Sequence, residues 1–378
     1  MTLPDDGTTS HAALPTVSVV APTFRRRDGL PRFLEPVLRQ PVAEVVVAVD
    51  GSDDGSVEWL RERARADERI VVLDLPHAGA GPARQAGVEA ATSDVVLLLD
   101  DDVIASPGLV EGHARHHAGM EPKLVLGYMP NDWRAVARER RGIACMYRYW
   151  YEVHCTRWAQ EPEFVLRSLW AGNLSMPREA MLRVGIARLA LKRGQDDRDF
   201  GLRCLKAGIP AQFDRSLHSV HLYDRSMPEF RSDSRIQGES RRLLRAAHPD
   251  VLGDPRDTPQ LDDTVGMRLP APLRRAWPRL ARDPWFGALT GALELMHRAA
   301  VRQEHVGLEV FLTRGIGSLD VMRGILDSSA RLRDAPAAGL EDVHGRVVAG
   351  DAAVAAASPR TGAAEDDPRI VRRDAPAI

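Results

Sequence analysis

A chain of 378 residues, 44% of them apolar, is long enough for one large domain or a domain with an appendage, built around a sizeable core. Lys and Arg number 51 against 53 Asp and Glu, and a formal net charge of −2 gives no electrostatic case for a nucleic-acid partner. No run reaches the roughly 18 apolar residues of a membrane span, and the polar, acidic stretch 1–14 is unlike a signal peptide. The expectation is a cytoplasmic protein, with peripheral membrane contact left open.

In chain order, residues 17–21 read as a strand, and Asp28 stands as an N-cap before a helix over 30–39. Strands follow at 45–49 and 70–73, separated by a helix over 56–65. Gly81 and Pro82 open a helix through 91, because proline suits a first helical turn. Residues 95–99 and 124–127 complete the strands. These runs are short, continuous and rich in valine, as strands buried on both faces are. Their alternation with helices predicts an α/β fold: a mostly parallel twisted sheet with helices on both faces.

Between 143 and 158 the texture changes. Tyr147, Tyr149, Trp150, Tyr151 and Trp158 cluster in a chain with only 5% aromatics. A helix laying its aromatics on the sheet is one reading, and a stacking platform for an acceptor is the other. Beyond Pro228 the pattern turns helical, over 230–247, over 285–312 with a break near Gly307, and over 315–333; residues 249–270 read as a linker. The chain thus divides into a flexible 1–14, an α/β domain at 15–227, a C-terminal helical extension at 228–333 and a disordered tail at 334–378.

Chemistry gathers at the strand ends. Asp100, Asp101 and Asp102 follow directly on a buried strand, where ligands of open parallel sheets bind. Carboxylates suit a hard divalent cation, which in turn suits a diphosphate, and alternation puts Asp100 and Asp102 on one side. The other ends are polar as well: Pro22-Thr23-Phe24, the turn from Asp50 to Ser56, and Gly79 to Gln85 with Arg84. Asp50 is placed to accept hydrogen bonds from a base or ribose, and Arg84 to donate to the base or diphosphate. Four such turns on one edge make a nucleotide-sized site. Asp196 reads as the cap of a helix to about residue 207, which would hold Asp197 on a rigid element, while Asp199 and Arg203 make an ordinary surface pair. Of His218 and His221, both after an apolar segment near this edge, His221 is favoured as a ligand. His113, His116 and His117 read as a solvated helix face. Cys145, Cys155 and Cys204 have no CxxC or zinc-like spacing and read as incidental thiols.

Taken together, these residues resemble glycosyltransferase family 2, on the nucleotide-diphospho-sugar transferase (GT-A-like) fold. The matching series runs from Ser18–Phe24 through Val49–Ser52 with Asp54, Gly79–Gly87, Asp100–Asp102 and Ala171–Ser175 to Asp196–Phe200 with Arg203 and Gly208. It covers roughly 16–225, and its order and spacing are more specific than any one motif. The resemblance implies an inverting glycosyltransferase that takes a nucleoside diphosphate sugar donor and an acceptor that is a small molecule, glycan or lipid-linked. Pro22, Thr23, Asp50, Arg84, Asp100 and Asp101 would form the donor-nucleotide set. Asp100 and Asp102 would hold Mn²⁺ or Mg²⁺ with His221 as a further ligand. Gly172, Asn173 and Asp196 would lie near the sugar or acceptor, and Asp197 would be the catalytic base. The sequence departs from the family pattern with Val49 in place of an acid, Gln85 in place of Asn and Asp196 in place of Glu. The competing readings are a nucleotidyltransferase on a similar fold, for which Arg25-Arg26-Arg27 is the one hint, and a silent sugar-nucleotide-binding protein.

Overall fold

Valine-rich runs form the strands anticipated for them, the first three lengthened by two residues and the fourth unchanged. They are β1 (Val17–Thr23), β2 (Glu44–Asp50), β3 (Ile70–Leu75) and β4 (Val95–Leu99). In this computed structural model the described residues are 13–188, 191, 195–253, 284–334 and 370–372. Helices α1 (Leu30–Leu38), α2 (Ser56–Ala66) and α3 (Ala80–Ala90) cross between the strands. β1 pairs in parallel with β2 and β4, and β2 with β3. Every residue of β1 and β4 is buried, so both faces are covered and no period-two alternation survives. The chain runs from β1 outward through β2 and β3, then returns to the other side of β1 as β4. That reversal leaves a crevice at the carboxyl ends of β1 and β4. Asp28 does not cap α1: Gly29 holds that position, and no side chain bonds there.

The second half of the sheet departs from the parallel pattern. It is built from β5 (Val103–Ala105), β6 (Leu124–Tyr128), β7 (Asn173–Pro177) and β8 (Ala211–His221). β7 is antiparallel to both β4 and β6, β6 is parallel to β8, and β5 is antiparallel to the end of β8. The full order is β5-β8-β6-β7-β4-β1-β2-β3-β9, with β9 (Ile370–Arg372) parallel to β3 at the far edge. The tail expected to be wholly disordered therefore contributes these three residues to the sheet, and the rest of 335–378 lies outside the described residues.

Two registers place the site. Leu99 stands opposite Asn173, which sets Gly172 beside Asp100. Val103 stands opposite His221, which sets that imidazole beside Asp102. Helices α4 (Leu109–His116), α5 (Arg141–Gln160), α6 (Pro162–Arg167), α7 (Arg178–Val184) and α8 (Asp196–Lys206) complete the α/β domain.

The C-terminal extension starts at a capping box, where Ser226 and Glu229 satisfy the first turn of α9 (Met227–Ala247). A four-residue turn, α10 (Pro249–Leu252), falls in the expected linker, and 254–283 lies outside the described residues. α11 (Pro284–Arg302) and α12 (Val306–Asp334) follow, with the break at 303–305 in place of Gly307, so that the two expected segments 306–312 and 315–333 are one helix. α9 lies tightly along α12, because a Cβ on Gly238 or Gly324 would overlap the other helix's backbone. Asp320, fully buried between them, takes hydrogen bonds from Arg231 and Arg235.

Candidate active site

The crevice opens into a cleft of about 1530 Å³, bounded by the ends of β1, β2, β3 and β4 on one side and by α5, α9 and α12 on the other. At its floor Asp100, Asp101 and Asp102 point to three different partners. The Nη2 of Arg84 donates to Asp100 at 2.6 Å. Thr23, at the end of β1, donates its hydroxyl to Asp101 at 2.7 Å. Asp102 accepts from Arg26 Nη2 at 2.7 Å and lies 3.3 Å from His221 Nε2. Burial and the neighbouring Asp102 push the Asp101 carboxyl up to about 7. Burial acts on Asp102 in the same direction, but His221, Arg26 and Arg225 outweigh it and hold that carboxyl well below the usual range. The other ring nitrogen of His221 meets the hydroxyl of Tyr147 at 3.1 Å. His218 is turned away, bonded to Ser106 at 2.8 Å, so of the two histidines only His221 faces the acidic cluster.

Arg84 is the hub of the floor. Besides Asp100, its Nη1 donates to Asp197 at 3.0 Å and reaches Asp196 at 3.4 Å. Three carboxylates overcome its burial and hold it firmly protonated. It was expected as a donor to the nucleotide; its terminal nitrogens are instead engaged by carboxylates of the protein, and it is 6% exposed. Asp197 receives a second bond, at 3.0 Å, from the backbone N–H of Ala171. Burial, then repulsion from Asp196, push the Asp197 carboxyl up to about 7 against the pull of Arg84. Asp196 is the first residue of α8; the cap position belongs to Gln195, without a side-chain bond, so the capping role expected for Asp196 is not met.

Gly172 lies against Asp100. Its φ of +122° suits glycine, and a Cβ there would stand 2.7 Å from Asp100 Oδ2. Asn173 does not face the cleft. It is fully buried, donates to the carbonyl of Leu217 and the hydroxyl of Ser219, and accepts from His113. The three histidines at the end of α4, His117 being its C-cap residue, are not a solvated face either. His113 and His117 are fully buried and meet on the hydroxyl of Ser175, each at 2.8 Å, while His116 pairs with Asp214. Burial pushes His113 down to about 3 and His117 down to about 4, so both are neutral hydrogen-bonding groups that tie α4 to β7. Asp199 and Arg203 are likewise no surface pair: Asp199 is 2% exposed and also bonds His248 at 2.7 Å.

At the opposite end, Asp50 accepts from the backbone N–H groups of Ala78 and Gly79 at 2.7 and 3.1 Å, fixing the turn after β3. His77 in that turn stacks on Phe24 with ring centroids 4.5 Å apart, beside Pro22 and Thr23 in the cleft wall. The aromatic run divides between both of its readings. Tyr151 and Trp158 are buried in the core, whereas Tyr147, stacked on Tyr223 at 4.0 Å, lines the cleft with Trp150 and Trp170. Sequence reasoning missed Arg26 as a partner of Asp102 and Tyr147 as a partner of His221. Neither carries a spacing signal, since each contact spans more than 70 residues.

Among the described residues no three carboxylates, imidazoles or thiols already converge on one point as a cation site. The donor types suit a divalent cation: Asp102 and His221 stand 3.3 Å apart, while the carboxylate of Asp100, two residues earlier, is turned to Arg84.

The cleft lies over the carboxyl ends of β1 to β4, floored by carboxylates and walled by aromatics, where open α/β sheets bind ligands. Residues 18–176 match the sequence profile of Glycosyl transferase family 2. Validoxylamine A glucosyltransferase of Streptomyces hygroscopicus subsp. limoneus is 38% identical over 243 residues, 56% of this chain and 52% of that protein. The protein of the same name from Streptomyces hygroscopicus subsp. jinggangensis is 38% identical over 240 residues, 55% of each. The chain thus spans about half the length of these relatives. Among solved structures, the mannosyltransferase PcManGT from Pyrobaculum calidifontis, in complex with GDP-Man and Mn²⁺, aligns with a TM-score of 0.47 and 13% identity, over 93% of this chain and 83% of that one.

Proposed function

We propose that this protein moves a sugar from a nucleoside diphosphate donor to a nucleophile on an acceptor, in one displacement with inversion at the anomeric carbon. The observation that carries the reading is Asp197. It is a largely buried carboxylate with its pKa near 7, held by Arg84 and Ala171 in the same cleft as Asp100, Asp102 and His221. A group poised there takes a proton at neutral pH far better than an ordinary aspartate.

Each side of the cleft then has a task. Phe24 and His77, over the turn fixed by Asp50, offer a stacked surface for the base. Asp100, Asp102 and His221 would hold Mn²⁺ or Mg²⁺, which when bound neutralises charge developing on the leaving diphosphate. Asp197 accepts the acceptor's proton at a carboxylate oxygen while Arg84 and the Ala171 N–H keep it oriented. Tyr147, Trp150 and Trp170 offer faces on which a sugar or apolar acceptor stacks. The names of the two relatives make glucose the first sugar to try. A nucleotidyltransferase would leave Asp197 without a role.

The test is a thermal-shift screen of nucleoside diphosphates with and without Mn²⁺, followed by transfer assays with the matching sugar donors. Metal-dependent stabilisation by one diphosphate and turnover that Asp197→Asn abolishes are expected. Absence of any diphosphate binding would overturn the reading.

A further inference from the structure

α11 is apolar on two sides. Its inner ridge, Phe286, Thr290, His297 and Ala300, is buried, and Phe286 packs on Leu319 and Met322 of α12. The opposite side repeats at i, i+4, i+7 and i+11 with Ala288, Ala292, Leu295 and Ala299, all exposed, and Leu289 and Met296 continue it. Leu289 is 45% exposed, Leu295 66% and Met296 51%. A core-facing helix has no need of this second stripe. Of the nine large hydrophobics exposed among the described residues, three fall on this one face, so the exposure is concentrated and not scattered.

Charge says what covers it. The only exposed charged residues among the described side chains of α11 are Arg298 and Arg302; the half-buried Glu294 pairs with Arg231 and lies 4.0 Å from Arg298, and Arg302 has no carboxylate on this helix. A second copy of the same face would set Arg298 and Arg302 against the other copy's arginines. An anionic surface complements it. No helix among the described residues is long and apolar enough to cross a membrane, and a helix with an exposed apolar side edged by arginine suits lying in a headgroup layer.

We propose that the outer face of α11 is the surface by which this protein lies on a bilayer containing anionic lipids. Leu289, Leu295 and Met296 enter the boundary between headgroups and acyl chains, and Arg298 and Arg302 meet lipid phosphates. The inference is independent of the sugar-transfer reading and goes beyond it.

The test is co-sedimentation of the full chain with vesicles of phosphatidylcholine alone or mixed with phosphatidylglycerol, beside light scattering of the protein without lipid. The protein should bind the mixed vesicles more strongly than the neutral ones, and less strongly as salt is raised. Leu295→Glu with Met296→Glu should lower partitioning by about tenfold or more. Arg298→Gln with Arg302→Gln should erase the preference for anionic vesicles. All four side chains are exposed, so unchanged melting and nucleoside diphosphate binding serve as the check on folding. Equal binding of the wild type and the Leu295/Met296 variant would overturn the proposal, as would no binding to either vesicle. A dimer in solution that Leu295→Glu splits, in a protein that ignores vesicles, would assign the face to a second copy.

Discussion

Replacing Asp197 by Asn changes a side chain that has both a chemical and a structural task. Its two oxygens accept from Arg84 and from the backbone of Ala171, each at 3.0 Å. An amide keeps one of these bonds and turns its NH₂ toward the other donor, a loss of about 1–3 kcal/mol. Against that stands the cost of an ionised carboxylate in a buried acidic floor. The Asp197 pKa of about 7 lies roughly three units above the ordinary 3.8, on the order of 4 kcal/mol at 1.36 kcal/mol per unit. The sign follows from proton counting. Between about pH 4 and 7 the folded chain holds more proton at Asp197 than the unfolded chain does. Wild-type stability therefore falls as pH rises through that window and levels off above it. The Asn variant has no such slope, so its melting temperature relative to wild type should climb from pH 5 to pH 8, ending equal to or above wild type. Turnover should fall about 10²–10⁴-fold while donor affinity is kept. Scanning calorimetry across pH, with turnover and donor titrations at one pH, makes the measurement. A melting difference that is flat across pH would refute the burial argument, and near-normal turnover would refute the base.

Asp102→Asn should remove most of the gain that Mn²⁺ gives nucleoside diphosphate binding, read by calorimetry with and without chelator; equal affinity in both conditions for wild type would remove the cation from the scheme. Asp199→Asn should destabilise the fold by about 3–5 kcal/mol in denaturant melts, because it strips a buried carboxylate from Arg203 and His248; a loss under 1 kcal/mol would mean the site is wetter than its 2% exposure implies. Truncation after Asp334 removes β9 from the β3 edge and should lower the melting temperature by a few degrees at most, with donor binding intact.

Much of this site is legible in the sequence because a parallel sheet advertises itself. β1 to β4 are continuous valine-rich runs, and whatever polar residue follows such a run sits at the carboxyl edge, so Thr23, Asp50 and Asp100–Asp102 could be placed without coordinates. The antiparallel half could not. β7 reads Asn-Leu-Ser-Met-Pro and β8 begins Ala-Gln-Phe-Asp-Arg, neither with a strand's usual hydrophobic signal. Missing them hid what covers α4. The spacing of His113 and His117 says only that they share a helix face; that the face is dry is decided by Ser175 and Asn173, some 60 residues on. The same blindness put Asp199 at the surface. Long-range charge partners have no sequence signature at all, and Arg84 could not be read as the shared counterion of Asp100 and Asp197.

That sharing has a consequence for the proposed reaction. Five carboxylates, Asp100, Asp101, Asp102, Asp196 and Asp197, stand around two guanidiniums, Arg26 and Arg84. The floor is short of positive charge, which favours a cation and opposes a bare diphosphate. Asp100 is among the groups that hold the Asp197 pKa up. Positive charge brought to Asp100 with the donor cancels that repulsion and leaves Arg84 to act on Asp197, so the pKa of the base falls as the donor side fills. The base is then half-protonated in the empty enzyme at neutral pH and more fully ionised once the donor is loaded. Rate profiles separate the two states, since kcat/KM reports the free enzyme and kcat the complex. The acidic limb of kcat/KM should have its midpoint near pH 7, and that of kcat should lie lower. Coincident midpoints would show that charge brought to Asp100 does not reach Asp197 and that Arg84 carries no message between them.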